Sequence, residues 1–247
     1  MLELDSWLET AKLAALKGGQ HLLENQGEKL EVLLNQGRDI KLQLDIDTEQ
    51  MIKGILTSQS AFSILGEETG LSNDLGEFYW VVDPLDGTSN FLRGIPISCV
   101  SIALMQDITP ILGVIYDFNH DDLYFGHLES QAFVNQEEIV VSDYAVKSQS
   151  TLVTGIPAKK NYLDIEFKQM IDDFQQWKKV RMIGSAAMAS IYVAAGKADA
   201  YKENGIFLWD IAAGAAIVNS AGGVASITNV QVDYRVDAFF TNQHLAC

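Results

Sequence analysis

The residues whose types and spacing could do chemistry are acidic. Glu67 and Glu68 close a short apolar segment, Phe62 to Leu65, and are followed by Trp80-Val-Val-Asp83-Pro-Leu-Asp86-Gly-Thr88. The apolar run Phe78 to Val82 reads as a buried β-strand that stops at Asp-Pro-Leu-Asp-Gly, a strong turn signal. If the two apolar segments are neighbouring strands, their acidic ends converge. Bare carboxylates gathered in one place repel by about 4 kcal/mol per close pair at intermediate dielectric. A multivalent hard cation removes that penalty, and oxygen ligands suit Mg²⁺.

Each piece alone has a plain explanation. Asp-Pro and Asp-Gly are ordinary turn dipeptides, and Glu67-Glu68 fits a solvated loop. Trp209-Asp210-Ile-Ala-Ala-Gly places an Asp directly before an apolar run at helical spacing, as a helix N-cap would. Asp45 precedes another helical pattern and fits a cap or a first-turn acid. The combination is more specific. Glu67-Glu68, Asp83-Pro-Leu-Asp86-Gly-Thr88 and Trp209-Asp210-Ile-Ala-Ala-Gly, in this order and spacing, resemble the inositol monophosphatase family of metal-dependent sugar and polyol phosphatases. The resemblance runs from the Leu4 helix to Asn242.

That resemblance implies an α+β fold layered as an αβαβα sandwich, in two closely joined subdomains with the site between them. Residues 1–145 would carry most of the metal ligands, and residues 146–247 would contribute Asp210 and substrate contacts. The reaction implied is Mg²⁺-dependent hydrolysis of a small phosphate monoester, foremost inositol 1-phosphate. Relatives acting on fructose 1,6-bisphosphate, adenosine 3′,5′-bisphosphate or histidinol phosphate are the alternatives. A regulatory binding protein on a phosphatase scaffold is a reading of another class. Sensitivity to Li⁺ and a homodimer are also implied.

Carried over by resemblance, Glu67, Asp83 and the Leu85 carbonyl bind a first metal, and Asp83, Asp86 and Asp210 a second, so that Asp83 bridges. A third, weaker metal near Glu67 is left open. Asp45 and Thr88 position and activate the attacking water, Asp45 accepting from the Thr88 hydroxyl; with Glu67 they form the catalytic set. Gly87 and Thr88 open a short helix, Thr88 to Leu92, whose N–H groups can hold phosphate oxygens. Gly184, Ser185 and Ala186 match a polyol-contacting loop. Glu203, seven positions before Asp210, matches a Glu that accepts hydrogen bonds from ring hydroxyls; a solvated loop carboxylate beside Lys202 is its plain alternative. The chain departs from many relatives at Gln43, where they have Thr, at Lys41, where a small hydroxyl residue is common, and at the added acid Asp47.

Composition sets the frame for that chemistry. The 247 residues suffice for one large domain or two joined ones. With 33 acidic against 17 basic residues, the net charge of −16 argues against non-specific nucleic-acid binding. A negative protein must then attract a negative substrate, and bound cations would invert the local sign. The two cysteines, Cys99 and Cys247, give no disulfide framework. Met1 to Asp5 lacks the basic-then-apolar pattern of a secretory signal, and the apolar run Ile95 to Met105, 11 residues, is too short to span a bilayer. A cytoplasmic protein is the expectation.

Other phosphatase chemistries fit poorly. Asp45-Ile-Asp47-Thr48 looks like an aspartyl-phosphate nucleophile motif, but Glu49 stands where Thr or Val is wanted and the segment reads as a helix start. No Arg follows Cys99 within a cysteine-phosphatase loop. The four histidines are scattered without ligand spacing, and no Gly-x-x-x-x-Gly-Lys-Ser/Thr loop exists.

The elements that must position the carboxylates follow from periodicity. Leu4, Leu8, Ala11, Ala15 and Leu22 share one helical face; a turn at Gln36-Gly37-Arg38 and a helix from Asp45 to Leu56 come next. Strands are expected at Pro96–Met105, Pro110–Tyr116, Leu123–Gly126 and Ala132–Val134, with a hairpin loop at Phe118 to Asp121. A boundary falls near Val141 to Ser150. Beyond it the pattern gives a strand at Thr151–Gly155 and a helix at Asp164–Trp177. Two small-residue helices apolar all round follow, Ala186–Ala195 and one from Asp210 to Gly222-Gly223, which implies burial between layers.

Overall fold

The computed structural model describes residues 3–27, 32–36, 39–157 and 162–245. The expected turn at Gly37-Arg38 and the terminal Cys247 lie outside the described residues. In chain order the elements are α1 (Leu4–Asn25), β1 (Val32–Gln36), β2 (Asp39–Leu42), α2 (Gln43–Gln59), β3 (Ser63–Gly66), β4 (Gly70–Leu71), β5 (Phe78–Asp86), α3 (Thr88–Leu92), β6 (Cys99–Gln106), β7 (Thr109–Asp117), β8 (Asp122–His127), β9 (Ala132–Val134) and β10 (Glu137–Ile139). A short 3₁₀ turn leads to β11 (Thr151–Thr154), α4 (Asp164–Phe174), β12 (Lys179–Met182), α5 (Ala186–Ala194), β13 (Ala200–Phe207), α6 (Leu208–Ser220), β14 (Val224–Thr228) and β15 (Arg235–Thr241).

An eight-stranded sheet runs β10-β9-β8-β7-β6-β5-β3-β4, and a five-stranded sheet runs β12-β11-β13-β15-β14. The large sheet is antiparallel except where β3 lies parallel to β5. α1 and α2 cover its outer face; α5 and α6 fill the space between the sheets; α4 lies outside the small sheet, with Phe174 against Leu152 and Ala200. The αβαβα sandwich is therefore the fold of this chain.

Both faces of the large sheet are covered, so its strands are continuously apolar rather than alternating. On β5, Trp80 and Val82 point to the α1/α2 core, and Tyr79 and Val81 to the α5/α6 core. Trp80 is fully buried and its indole N–H donates to Ser60 Oγ at 2.9 Å, which satisfies the one polar atom it carries inside. α1 buries the five residues its periodicity predicts. α5 and α6 are buried almost all round, as their Ala-rich sequences require of helices between two sheets.

Several boundaries differ from expectation. β5 does not stop at Val82. It runs on to Asp86, with an irregularity between Asp83 and Asp86 where Pro84 has no N–H to give the ladder. α2 and α6 begin before their acids, so Asp45 and Asp210 are third residues rather than N-caps. Each carboxylate reaches back to accept from the cap amide, Leu42 N at 3.0 Å and Phe207 N at 3.2 Å, the reciprocal half of a capping box. α4 ends at Phe174, short of Trp177. In the small sheet only β11 carried a clear strand signal; charged and turn residues, such as Lys202-Glu-Asn-Gly205 in β13, obscure the others.

Candidate active site

The parallel pairing of β3 with β5 brings the first acids together. Gly66 is the register partner of Val82, and the Glu67 amide donates to the Val82 carbonyl at 3.1 Å. Glu67 thus emerges beside Asp83. Asp83 is 1% exposed and accepts from the Leu85 amide at 3.0 Å, an Asx turn that fixes its direction. Asp210 arrives from the first turn of α6, between the sheets. Carboxylate oxygens of Glu67, Asp83 and Asp210 all lie within 4.8 Å of one another.

The electrostatics of this trio are severe. Burial, then the neighbouring carboxylate Glu68, pushes Glu67 up to about 8. Burial and the surrounding acids hold Asp83 and Asp210 well above the usual carboxylate range. Glu67 and Asp83 face each other closely enough to interact, and two ionised carboxylates are acceptor-only and repel. A proton or a cation between them relieves that repulsion.

Asp86 stands beside the trio and ties it to the second sheet's helices. Its Oδ2 accepts from Ser185 Oγ at 2.5 Å and from the Ala187 amide at 2.7 Å. Ser185 caps α5 in turn, accepting from the Met188 amide at 3.2 Å. Burial raises Asp86 to about 6 against the opposing pull of these hydrogen bonds. Gly87 follows with φ 89°, a left-handed turn that starts α3. A side chain there would meet the Ile97 carbonyl at 2.7 Å.

Asp45 is buried at 2% exposure and close enough for its charge to raise Glu67. The expected bond from Thr88 to Asp45 is not the one formed: the Thr88 hydroxyl donates to the Leu85 carbonyl at 3.0 Å. The three-residue spacing across the turn into α3 sets that oxygen directly under the hydroxyl. Glu203 is no solvated loop residue. It sits on β13 at 7% exposure, accepts from the Tyr201 hydroxyl at 3.0 Å, and is raised by burial to about 7. Its neighbour Lys202 pairs with Asp173 instead.

These groups surround one cavity of about 350 Å³, lined by Glu67, Asp86, Gly87, Thr88, Gly184, Ser185, Ala186, Glu203 and Asp210 among others. The size suits a small molecule. Among the described residues that line it, none is Lys or Arg. Cys99 is buried and its thiol pushed well up by that burial, so it is no nucleophile.

Comparison with known proteins identifies the arrangement. The profile of the inositol monophosphatase family matches residues 3–243. The chain belongs to the inositol monophosphatase family. A fructose-1,6-bisphosphatase/inositol-1-monophosphatase of Aquifex aeolicus is 37% identical over 92% of this chain and 88% of its own length. A Nus factor SuhB of Xylella fastidiosa is 38% identical over 85% of this chain and 78% of its own. The solved inositol monophosphatase of Anabaena superposes with a TM-score of 0.84 at 33% identity, covering 98% of this chain and 93% of that one.

As an inositol monophosphatase family member the chain is a phosphatase, and the family's dependence on metal fits what the residues offer. The donors are all oxygen, wholly or largely withdrawn from solvent and mutually repelling, and among the described residues no basic side chain lines the cavity to neutralise them, a set suited to a hard divalent cation. The sequence reading missed the residues that brace this family's site. Asn90 Nδ2 donates to the carbonyls of Ile97 and Ile183, both at 2.8 Å, and so locks α3 to the turn before α5. Tyr201 orients Glu203. Local sequence does not show these contacts; only their partners, distant in sequence or fixed by the β13 strand, reveal them.

Among the described residues no helix is long and apolar enough to cross a membrane.

Proposed function

We propose that this phosphatase hydrolyses a small phosphorylated polyol, inositol 1-phosphate foremost, with two Mg²⁺ ions, or three, bound at the carboxylate trio. The observation that carries the reading is the convergence of Glu67, Asp83 and Asp210 within 4.8 Å, with Glu67 and Asp210 opening on the cavity that Glu203 also lines. Glu67, Asp83 and the Leu85 carbonyl would hold one ion, and Asp83, Asp86 and Asp210 the other. Bound Mg²⁺ stabilises charge on the phosphoryl oxygens and makes water a better nucleophile at neutral pH. Phosphoryl transfer asks little else of a protein than positioning and charge stabilisation.

The chain's own groups do the positioning. Asp45 and Thr88 orient the attacking water. The backbone N–H groups of Gly87 and Thr88 face the phosphoryl oxygens. Gly184, Ser185 and Ala186 border the organic half of the substrate, and Glu203 accepts hydrogen bonds from its hydroxyls. Glu203 is fixed by Tyr201 and buried, so an analogue without those hydroxyls leaves a buried acceptor unpaired, a loss of about 1–3 kcal/mol. The residues 1–145 and 146–247 act as two subdomains that close on this cavity, and the working form is a homodimer, which sedimentation equilibrium would check.

The names of two kinds of relative favour other readings. The Aquifex protein's name includes fructose-1,6-bisphosphatase, and two relatives are named Nus factor SuhB. A regulatory role of the second kind would have to engage partners other than bare nucleic acid, given the net charge of −16. The deciding experiment is phosphate release from inositol 1-phosphate, fructose 1,6-bisphosphate, adenosine 3′,5′-bisphosphate and histidinol phosphate, with and without Mg²⁺. Mg²⁺-dependent turnover of inositol 1-phosphate far above the rest is expected. Preference for another member renames the substrate. No turnover in a folded, Mg²⁺-binding protein refutes the catalytic reading for this panel.

A further inference from the structure

Beneath the turn that carries Glu67 lies a second acid with no place in the chemistry above. Glu49, on α2, is fully buried. Its carboxylate accepts from the Glu68 amide at 2.8 Å, the Thr69 amide at 3.2 Å and the Thr69 hydroxyl at 2.5 Å. Lys53, one helical turn on, forms an ion pair with it at 2.9 Å and also contacts the Thr69 hydroxyl. Gly66, just before Glu67, makes room for the carboxylate: a Cβ there would lie 2.4 Å from Glu49 Oε1. The acid therefore fills the space behind residue 66 and gathers the donors of residues 68 and 69. Glu67 is flanked by fixed points on both sides, the Val82 carbonyl binding its own amide.

Stability alone does not account for this arrangement. A buried Glu–Lys pair gives up so much hydration that an apolar pair of similar volume is often as stable. What an apolar pair cannot do is accept three directed hydrogen bonds from one turn. Asp45 lies four residues earlier on the same helix, hence on the same face as Glu49. One face of α2 thus carries Asp45 into the site and anchors the loop that carries Glu67.

We infer that Glu49 is a positioning residue for the metal-binding carboxylate Glu67, holding the 67–69 turn in register with Asp83 and Asp45 through its hydrogen bonds to residues 68 and 69, with Lys53 compensating its charge. The inference rests on the metal-site reading of the previous section and deepens it. Partners that orient metal ligands are commonly worth about 10- to 100-fold in metal affinity.

The test is calorimetric titration of the full chain with Mg²⁺ alone, comparing wild type, Glu49→Gln and Asp83→Asn, together with amide hydrogen exchange at Glu68 and Thr69. Gln keeps the shape but loses the charge and part of the accepting capacity. The expected result is Mg²⁺ binding weaker by about tenfold or more in Glu49→Gln, faster exchange at those two amides, and turnover that recovers as Mg²⁺ is raised. A merely structural role would lower the melting temperature without moving the Mg²⁺ requirement. Should Glu49→Gln fail to fold, Thr69→Val removes one donor and keeps the rest; a smaller shift in the same direction is expected. Wild-type Mg²⁺ binding that either folded variant matches overturns the inference alone. No Mg²⁺ uptake by the wild type overturns the metal-site reading and this inference together.

Discussion

Gly66 and Val82 are register partners in the parallel pair β3 and β5, and the carboxylate trio depends on that pairing. A slip of one residue would turn Glu67 to the opposite face and leave Asp83 without its neighbour. In this register the chain accepts a crowd of buried acids, and the cost of that crowd makes several effects measurable.

Asp83→Asn should abolish turnover, by at least about a hundredfold, since in the proposed reading Asp83 would hold both ions that stabilise charge where it develops. The same change removes a repelling charge from the trio, so the metal-free protein should melt higher than wild type. Steady-state kinetics and thermal melts in a chelator check both halves. Near-normal turnover would rule out the bridging role.

The pH dependence of metal-free stability has a definite sign. Burial raises Glu67 from 4.5 to about 8, Glu203 from 4.5 to about 7 and Asp86 from 3.8 to about 6. The folded state therefore holds protons that the unfolded state has released. Stability from these groups is fully present below about pH 4 and is lost as pH rises through 6 to 8, by an amount on the order of a few kcal/mol. Saturating Mg²⁺ should flatten the profile by compensating the ionised trio. Melting temperature against pH in chelator and in Mg²⁺ is the measurement, and a flat profile in chelator contradicts it.

Glu203→Gln should change discrimination between inositol 1-phosphate and glycerol 2-phosphate. Tyr201→Phe removes the hydroxyl that donates to Glu203 and should raise KM for inositol 1-phosphate by about 3- to 10-fold, the worth of one hydrogen bond, with glycerol 2-phosphate nearly unaffected. An equal loss on both esters would assign the pair to the fold instead.

Millimolar Li⁺ should inhibit by occupying the second metal position. Rates measured across rising Mg²⁺ test this, and indifference to Li⁺ throughout would exclude it.

Much of this protein was legible in one dimension. Three acidic motifs in fixed order marked the family, and the face of Leu4, Leu8, Ala11, Ala15 and Leu22 marked α1. The all-round apolar sequences of α5 and α6 announced helices between layers. Such features are local: a turn dipeptide, a 3.6-residue period or a covered strand carries its signal within a dozen residues. Other features had no local signal. The β13 strand is broken by polar residues, so a loop acid stayed the plain alternative for Glu203, and pairing with β11 and β15 is what buries it. Glu49 entered the sequence reading only as a departure from an aspartyl-phosphate motif, and its partners at Glu68 and Thr69 come from the fold. The sequence by itself determined which chemistry the chain carries, because the types and order of its acids are written there. The tertiary structure decided which oxygens meet and which groups hold them, because distances between residues 67, 83 and 210 are set by strand register and helix packing.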